Sequence, residues 1–400
     1  MRIKRTLPPS AAPIKAGSII RAMTSCLRGR NVCFEIEDEL REHFQASEVF
    51  LVSSGKAGLL LLLEAMKKLR PRKKSVVVPA YTCYSVPSAV KKAGLKVVPC
   101  DIEAGSFDFD FEELNRRSGD DLLAVISTSL FSMPSDIKKT REFASRCNAF
   151  VIDDAAQAFG MTDKSGAVVG MRGDAGIFSF SRGKTISSGS GGAIVTNNNE
   201  IAKTVRVEFK KLGKPGLVAN IKDLMCNSAL YVFLRPGLYW LPDGLPFTGL
   251  GKNVFSTEFK VGKMSDMNAS MLFGWKERLE RSNAVRTRNS RFFREQLRLD
   301  LPKDELPYLR MPVLMQNNAE REKSIQASQE KGLGLSSMYP APISSIPEVK
   351  ADTGDVRFPK ADNVAGRLLT LPTHEYVREK DMEKICELLT ATERLKQQKG

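Results

Sequence analysis

Lys184 stands in "IFSFSRGKTISSGSGGAIVTN", between two apolar runs, with Ser, Gly and Thr around it and Arg182 two positions before it. A loop amine is ordinarily solvated. Withdrawn from water it loses its proton more readily, and the neutral amine can then condense with a carbonyl to give an imine. Upstream, "FVIDDAAQAFG" ends an apolar run in two acids, Asp153 and Asp154. One is expected to face outward. The other would sit near the ligand edge of a sheet, where a carboxylate needs a cation or hydrogen-bond donors; a helix N-cap is the competing reading. Further upstream still, "SSGKAGLL" sets Ser54, Gly55 and Lys56 between a strand-like run and a helical one. Free amides at a helix start favour an anion, commonly a phosphate.

The elements that must position these residues are legible as an alternation. "VFLVSS", "SVVVPA", "LKVVPCDI", "LAVISTSLF", "AFVIDDA", "GIFSFS" and "GAIVTN" read as buried strands. "KAGLLLLLEAMKKL", "SVPSAVKKAG" and "DIKKTREFASRC" read as helices between them, with the leucines at 59–63 as core. Strands alternating with helices mean βαβ units and a mostly parallel sheet sandwiched by helices. Ligands of such sheets bind at the carboxyl ends of the strands, where Ser54–Gly55, Tyr81, Asp154 and the Lys184 loop fall.

After Asn197 the pattern changes. Residues 198–258 read as a helix followed by a Pro/Gly/aromatic stretch, an insertion over about 205–258 in a large unit at 1–258. "MSDMNASMLFGWKERLERSNAVRTRNSRFFREQL" reads as one long helix opening a smaller α+β unit at 259–400. There "LRMPVLM" is a strand, "NNAEREKSIQASQEKG" a helix ending at Gly332, and "EKDMEKICELLTATERLKQQ" a closing helix.

Bulk properties remove several function classes. Seven scattered cysteines without a C-x-x-C pair, and only two histidines, argue against a disulfide framework and a metal site, and for a reducing, cytoplasmic setting. The net charge of +15 is spread along the chain without a nucleic-acid motif, so no nucleic-acid partner is expected; a basic surface that attracts anionic substrates or lipids is. The apolar patch 228–251 is broken by Arg235, Pro236, Pro242 and Asp243, short of the ~20 apolar residues of a spanning helix. It reads as a dimer interface or as a peripheral contact with a membrane or a lipid-linked sugar.

Together, a phosphate cradle, a strand-end carboxylate and an imine-capable lysine on a parallel sheet are the parts that hold pyridoxal phosphate. At these residues the chain resembles the DegT/DnrJ/StrS sugar aminotransferases, of the fold type I pyridoxal phosphate enzymes. "SSGKAGLLLLLEAM", "VVVPAYTCYSVPSAVKKAGLKVVPCDIE", "FVIDDAAQAFG", "GDAGIFSFSRGKTISSGSGGAIVTN", "GKMSDMNASMLFGWKERLE" and "RLLTLPTHEYVREKDMEKICELL" are similar to that family's blocks, in order. The resemblance implies Lys184 as the catalytic lysine that holds the cofactor's aldehyde. It implies Asp154 at the pyridine nitrogen, Gln157 at the phenolic oxygen, and Ser179 with the Gly55–Lys56 amides at the phosphate. It also implies a homodimer with shared active sites, and transfer of an amino group from glutamate or glutamine to a keto sugar.

Several positions depart from the family. Lys56 replaces Thr or Ser. Cys83 replaces a ring-stacking aromatic, which leaves Tyr81 or Tyr84 to take over. Ser129 occupies a usual His position, Val261 and Lys263 replace Asn and Arg, and Ser190 replaces Glu. Ser129 and Arg182 are candidate substrate contacts, Arg182 for a phosphate or a donor carboxylate. His374 reads as a packing residue. The alternative reading of these substitutions is a non-catalytic or membrane-associated relative with a regulatory or assembly role in polysaccharide synthesis.

Overall fold

The computed structural model describes residues 5–27, 31–117, 119–244, 254–299 and 305–397. Seven strands form the main sheet: β1 (Glu48–Val52), β2 (Ser75–Pro79), β3 (Lys96–Cys100), β4 (Leu122–Thr128), β5 (Phe150–Asp154), β6 (Ala175–Ser179) and β7 (Gly192–Thr196). Their order across the sheet is β1-β7-β6-β5-β4-β2-β3. β7 runs antiparallel to both neighbours, and the remaining pairs are parallel. All seven stretches read as strands are strands. Their Val- and Ile-rich character follows from burial on both faces.

Helices cover the sheet on both sides. On one face Gly55–Leu69, Ser85–Lys92 and Asn199–Lys211 pack in a single apolar cluster. Leu59 to Leu63 are all buried there, each contributing about 1.5–3 kcal/mol by leaving water. The opposite face carries Val32–Phe44 and Ile137–Arg146. The helix at 32–44 and another at Ala16–Leu27 precede the first strand.

A second, two-stranded antiparallel sheet joins β8 (Arg310–Leu314) to β9 (Leu368–Pro372), with Arg310 opposite Pro372. Asn318–Lys331 ends at Gly332, and Glu379–Gln397 closes the chain's described part. The stretch expected as one long helix is two, Asp266–Ser270 and Trp275–Leu297. Gly274 adopts φ +66°, a left-handed conformation at the N-cap of the second helix that keeps the two from running on as one. The insertion is more helical than expected, with Leu217–Phe233 and Trp240–Asp243 in place of an irregular stretch. The end of the apolar patch, residues 245–251, lies outside the described residues. Among the described residues no helix is long and apolar enough to cross a membrane.

The N-terminal residues cross over to the last part of the chain. Leu7 N–H donates to Gly332 O at 2.9 Å, and Arg5 pairs with Asp381 at 2.7 Å. His374 Nε2 meets Pro8 O at 2.8 Å, and Arg286 donates to Ala11 O at 2.9 Å. From there Ser10 Oγ donates to Gly183 O at 2.7 Å, reaching the residue before Lys184.

Candidate active site

The parallel register assembles the site. Thr128 lies opposite Asp154, and Asp154 opposite Ile177, so β4 and β5 deliver their last residues to one wall beside the end of β6. Val52 and Ser179 both lie opposite Gly192 in the antiparallel pairs, which brings the turn after β1 against the end of β6. A Cβ on Gly192 would stand 2.5 Å from Gly55 N, and one on Gly55 would stand 3.0 Å from Ser179 Cβ. Only glycine permits this approach. The result is a cavity of about 470 Å³ at the carboxyl edge of the sheet. Lys184, Asp154, Gln157, Ser179, Ser54, Gly55, Lys56, Cys83 and Arg182 all line it.

At one end Ser54 Oγ caps the helix Gly55–Leu69 by accepting from Ala57 N–H at 3.1 Å. The Gly55 and Lys56 amides have no partner among the described residues, so two donors at a positive helix end remain for an anion. Lys56 lies over the Phe259 ring, 4.3 Å from its centroid, and burial lowers its pKa. Ser179 Oγ is 3.1 Å from Ser181 Oγ, a second hydroxyl at this end that the sequence reading did not single out.

Toward the middle, burial raises the pKa of Asp154, opposed by the Ala156 amide, which donates to Oδ1 at 3.0 Å, and by the charge of Lys184. No described residue holds Oδ2. Burial lowers the pKa of Lys184; Cys83 and Asp154 work against that, and Arg310 adds to it. An amine held toward its neutral form and a carboxylate open on one oxygen therefore face the same space.

Asp153 does not face outward. It is fully buried on the other face of the sheet, where Arg172 grips Oδ1 and Oδ2 at 2.9 Å each. Gln157 lines the cavity with its amide engaged: Oε1 accepts from Phe131 N–H at 3.2 Å and Nε2 donates to Tyr339 Oη at 3.0 Å. Tyr81 and Tyr84 do not take over ring stacking. Their hydroxyls donate to the Tyr339 and Ala341 carbonyls at 3.1 and 2.8 Å, and neither ring lines the cavity, which leaves Cys83 on that wall. Ser129 is not brought to the site either. It is buried beneath the sheet, where its Oγ accepts from Ser135 N–H at 3.2 Å and from Arg172 at 3.4 Å. Arg182 is exposed at the mouth. Arg310, from β8, also lines the cavity and was missed, because an arginine opening a strand has no motif around it. His374 is a packing residue as expected, buried and pushed down to about 3 by desolvation and the neighbouring Arg286.

The residues present fit pyridoxal phosphate: unpartnered helix amides for its phosphate, an open carboxylate for its ring nitrogen, and a deprotonation-prone lysine for its aldehyde. The fold with this cavity is that of the fold type I pyridoxal phosphate proteins. The model of the DegT/DnrJ/EryC1/StrS aminotransferase family matches residues 21–390, and the chain belongs to that family, whose cofactor is pyridoxal phosphate. The chain is 30% identical over 165 residues to the GDP-perosamine synthase of Vibrio cholerae, spanning 41% of this chain and 44% of that protein. It thus spans less than half the length of the first curated relatives it matches. It is 24% identical to the UDP-2-acetamido-2-deoxy-3-oxo-D-glucuronate aminotransferase of Pseudomonas aeruginosa over 89% of each chain. The solved structure of Helicobacter pylori PseC, an aminotransferase involved in the biosynthesis of pseudoaminic acid, is similar at TM-score 0.77 and 15% identity, with 97% of this chain and 99% of that one covered. The sugar aminotransferase CalS13 from Micromonospora echinospora is similar at TM-score 0.77 and 18% identity, with 96% and 99% covered.

Proposed function

We propose that this chain transfers an amino group from glutamate or glutamine to a nucleotide-linked keto sugar, with Lys184 as its catalytic residue, in amino-sugar or surface polysaccharide synthesis. The observation that carries this reading is the placement of Lys184 and Asp154 in one cavity whose far end is a helix start with two free amides. Bound pyridoxal phosphate supplies an electron sink that acidifies the carbon bearing the transferred nitrogen. The Gly55 and Lys56 amides, Lys56 Nζ and Ser179 anchor the phosphate. Asp154 would pair with the ring nitrogen and favour its protonated form. Lys184 would hold the cofactor's aldehyde and, once the amino donor had taken its place, would move the proton, a role suited to an amine that burial shifts toward its neutral form. The relative named as a UDP-2-acetamido-2-deoxy-3-oxo-D-glucuronate aminotransferase supports the substrate class.

A homodimer is part of the proposal, as is a cytoplasmic setting. Leu217, Val218, Ile221 and Met225 form an exposed apolar row on the helix Leu217–Phe233, and a cavity of about 620 Å³ beside it meets the first at Ser181 and Arg182. This row is the proposed subunit contact, with a membrane surface as the alternative occupant.

The test is a matrix of amino donors against nucleotide-linked keto sugars, read by mass spectrometry of the sugar. The expected product gains one amino group for each glutamate or glutamine consumed. A cofactor-loaded protein that aminates no keto sugar with any donor would favour the non-catalytic relative.

A further inference from the structure

Among the described residues, most arginines withdrawn from water spend several donors on carbonyls or carboxylates. Arg172 clamps Asp153; Arg286 donates to Leu309 O, Thr373 Oγ1, Ala11 O and Ser282 Oγ; Arg278 donates to Met271 O and Ser187 O. Arg321 reaches Ala365 O and Glu322 through its two terminal nitrogens, its Nε alone lacking a partner among the described residues. Arg310 is the contrast. It is half-buried, and its one partner among the described residues is Ser336 Oγ at a long 3.4 Å. No carboxylate of a described residue lies within ion-pair distance of it.

A guanidinium loses much of its hydration on entering a cavity, and that loss is tolerable when an anion replaces the water. Its surroundings offer none. Lys184, Arg286 and His374 are close enough to feel its charge, and the other groups facing it are the hydroxyls of Tyr339 and Tyr239. Burial lowers its own pKa. Lys56, Arg182, Lys184 and Arg310 line the cavity against one acid among the described residues, Asp154. A cofactor phosphate at Gly55 and Lys56, and a ring nitrogen at Asp154, leave positive charge over at the Lys184 end.

We propose that Arg310 is the carboxylate anchor of the substrate pocket, holding a substrate carboxylate in a two-pronged pair beside Lys184. This rests on the amino-transfer reading. A planar fork with neutral aromatic neighbours suits a planar monoanion; a diphosphate would need more cations than this end holds. The carboxylate is either the α-carboxylate of the amino donor or that of a uronic-acid acceptor. Docking it cancels the positive charge that pulls down the proton affinity of Lys184, so the lysine becomes a stronger base once substrate is seated.

The experiment compares the cofactor-loaded wild type with Arg310→Gln and Arg310→Lys. Glutarate, which has carboxylates and no amine, is titrated into each by calorimetry, and the two half-reactions are followed separately. Arg310→Gln is expected to weaken glutarate roughly tenfold to a hundredfold, the loss of a charged hydrogen bond, with Arg310→Lys between the two. A matching rise in KM for glutamate relative to alaninol assigns the donor's carboxylate. A rise confined to keto sugars bearing a carboxylate, with neutral keto sugars unaffected, assigns the acceptor's. Unchanged glutarate affinity with both half-reactions unchanged overturns the proposal. Absence of amino transfer in the wild type would instead sink the amino-transfer reading, while the glutarate titration still tests the arginine by itself.

Discussion

Asp153 and Asp154 do opposite jobs because a strand turns successive side chains to opposite faces. Asp153 points under the sheet into a bidentate pair with Arg172; Asp154 points into the cavity with one oxygen open. Asp153→Ala leaves the buried Arg172 guanidinium with Asp163 at 3.4 Å as its one remaining carboxylate among the described residues, beside neutral acceptors such as Ser135 O, and should cost about 3–5 kcal/mol in denaturant unfolding. Asp154→Asn should change stability by under about 1 kcal/mol, since it removes a carboxylate whose ionised form burial already disfavours. It should still abolish most amino transfer; a reversed ranking of the two variants would contradict the assignment. The pair of acids was legible in the sequence, but which one faces the ligand was not, because that depends on strand register. The small residues around Lys184 leave room for a ring. The structure adds a second cause, the close passage of Gly192 against the start of the helix at Gly55.

At the scale of elements, the strand order and the N-terminal crossing set the site. Parallel strands β2, β4, β5 and β6 deliver their ends to one edge, and this was readable from seven apolar runs punctuated by helices. The crossing of residues 5–11 over the last part of the chain was not. It has no periodicity, and its hydrogen bonds are long-range pairs with Gly332, His374 and Arg286. Arg310 escaped for the same reason: only the β8–β9 pairing carries it to the cavity. His374 accepts from Tyr376 N–H at Nδ1, so Nε2 carries the proton given to Pro8 O, and the ring is neutral. With its pKa lowered from 6.5 to about 3, the unfolded chain binds the extra proton between those values. Stability from this residue is therefore complete above about pH 6.5 and is lost as pH falls toward 3. His374→Gln, which keeps a donor for Pro8 O, should flatten the fall in stability between pH 6.5 and 4. An unchanged slope would mean that other groups govern it.

For the whole molecule, the exposed row on Leu217–Phe233 calls for a partner surface. Solvent-facing apolar side chains at successive turns of one helix are a poor free surface and a good interface. Sedimentation equilibrium should find a dimer. The pair Ile221→Glu and Met225→Glu should shift it toward monomer without altering secondary structure. A dimer indifferent to both charges would move the contact elsewhere. Binding of the wild type, and not of the pair, to anionic vesicles would then assign the row to a membrane surface. The family blocks were legible along most of the chain because they mark strand ends and turns, where residue type is dictated locally. The helix at 217–233 carries no such mark, and its exposed side chains appear only once the rest of the chain has folded.

Trapping decides whether Lys184 holds pyridoxal phosphate. The purified chain is loaded with pyridoxal phosphate, reduced with borohydride, digested and mapped by mass spectrometry. The expected result is a visible band that reduction removes, with the cofactor's mass on the peptide containing Lys184 and none on Lys184→Ala. A loaded wild type carrying that mass on another lysine, or a chain that takes up no cofactor, would contradict it.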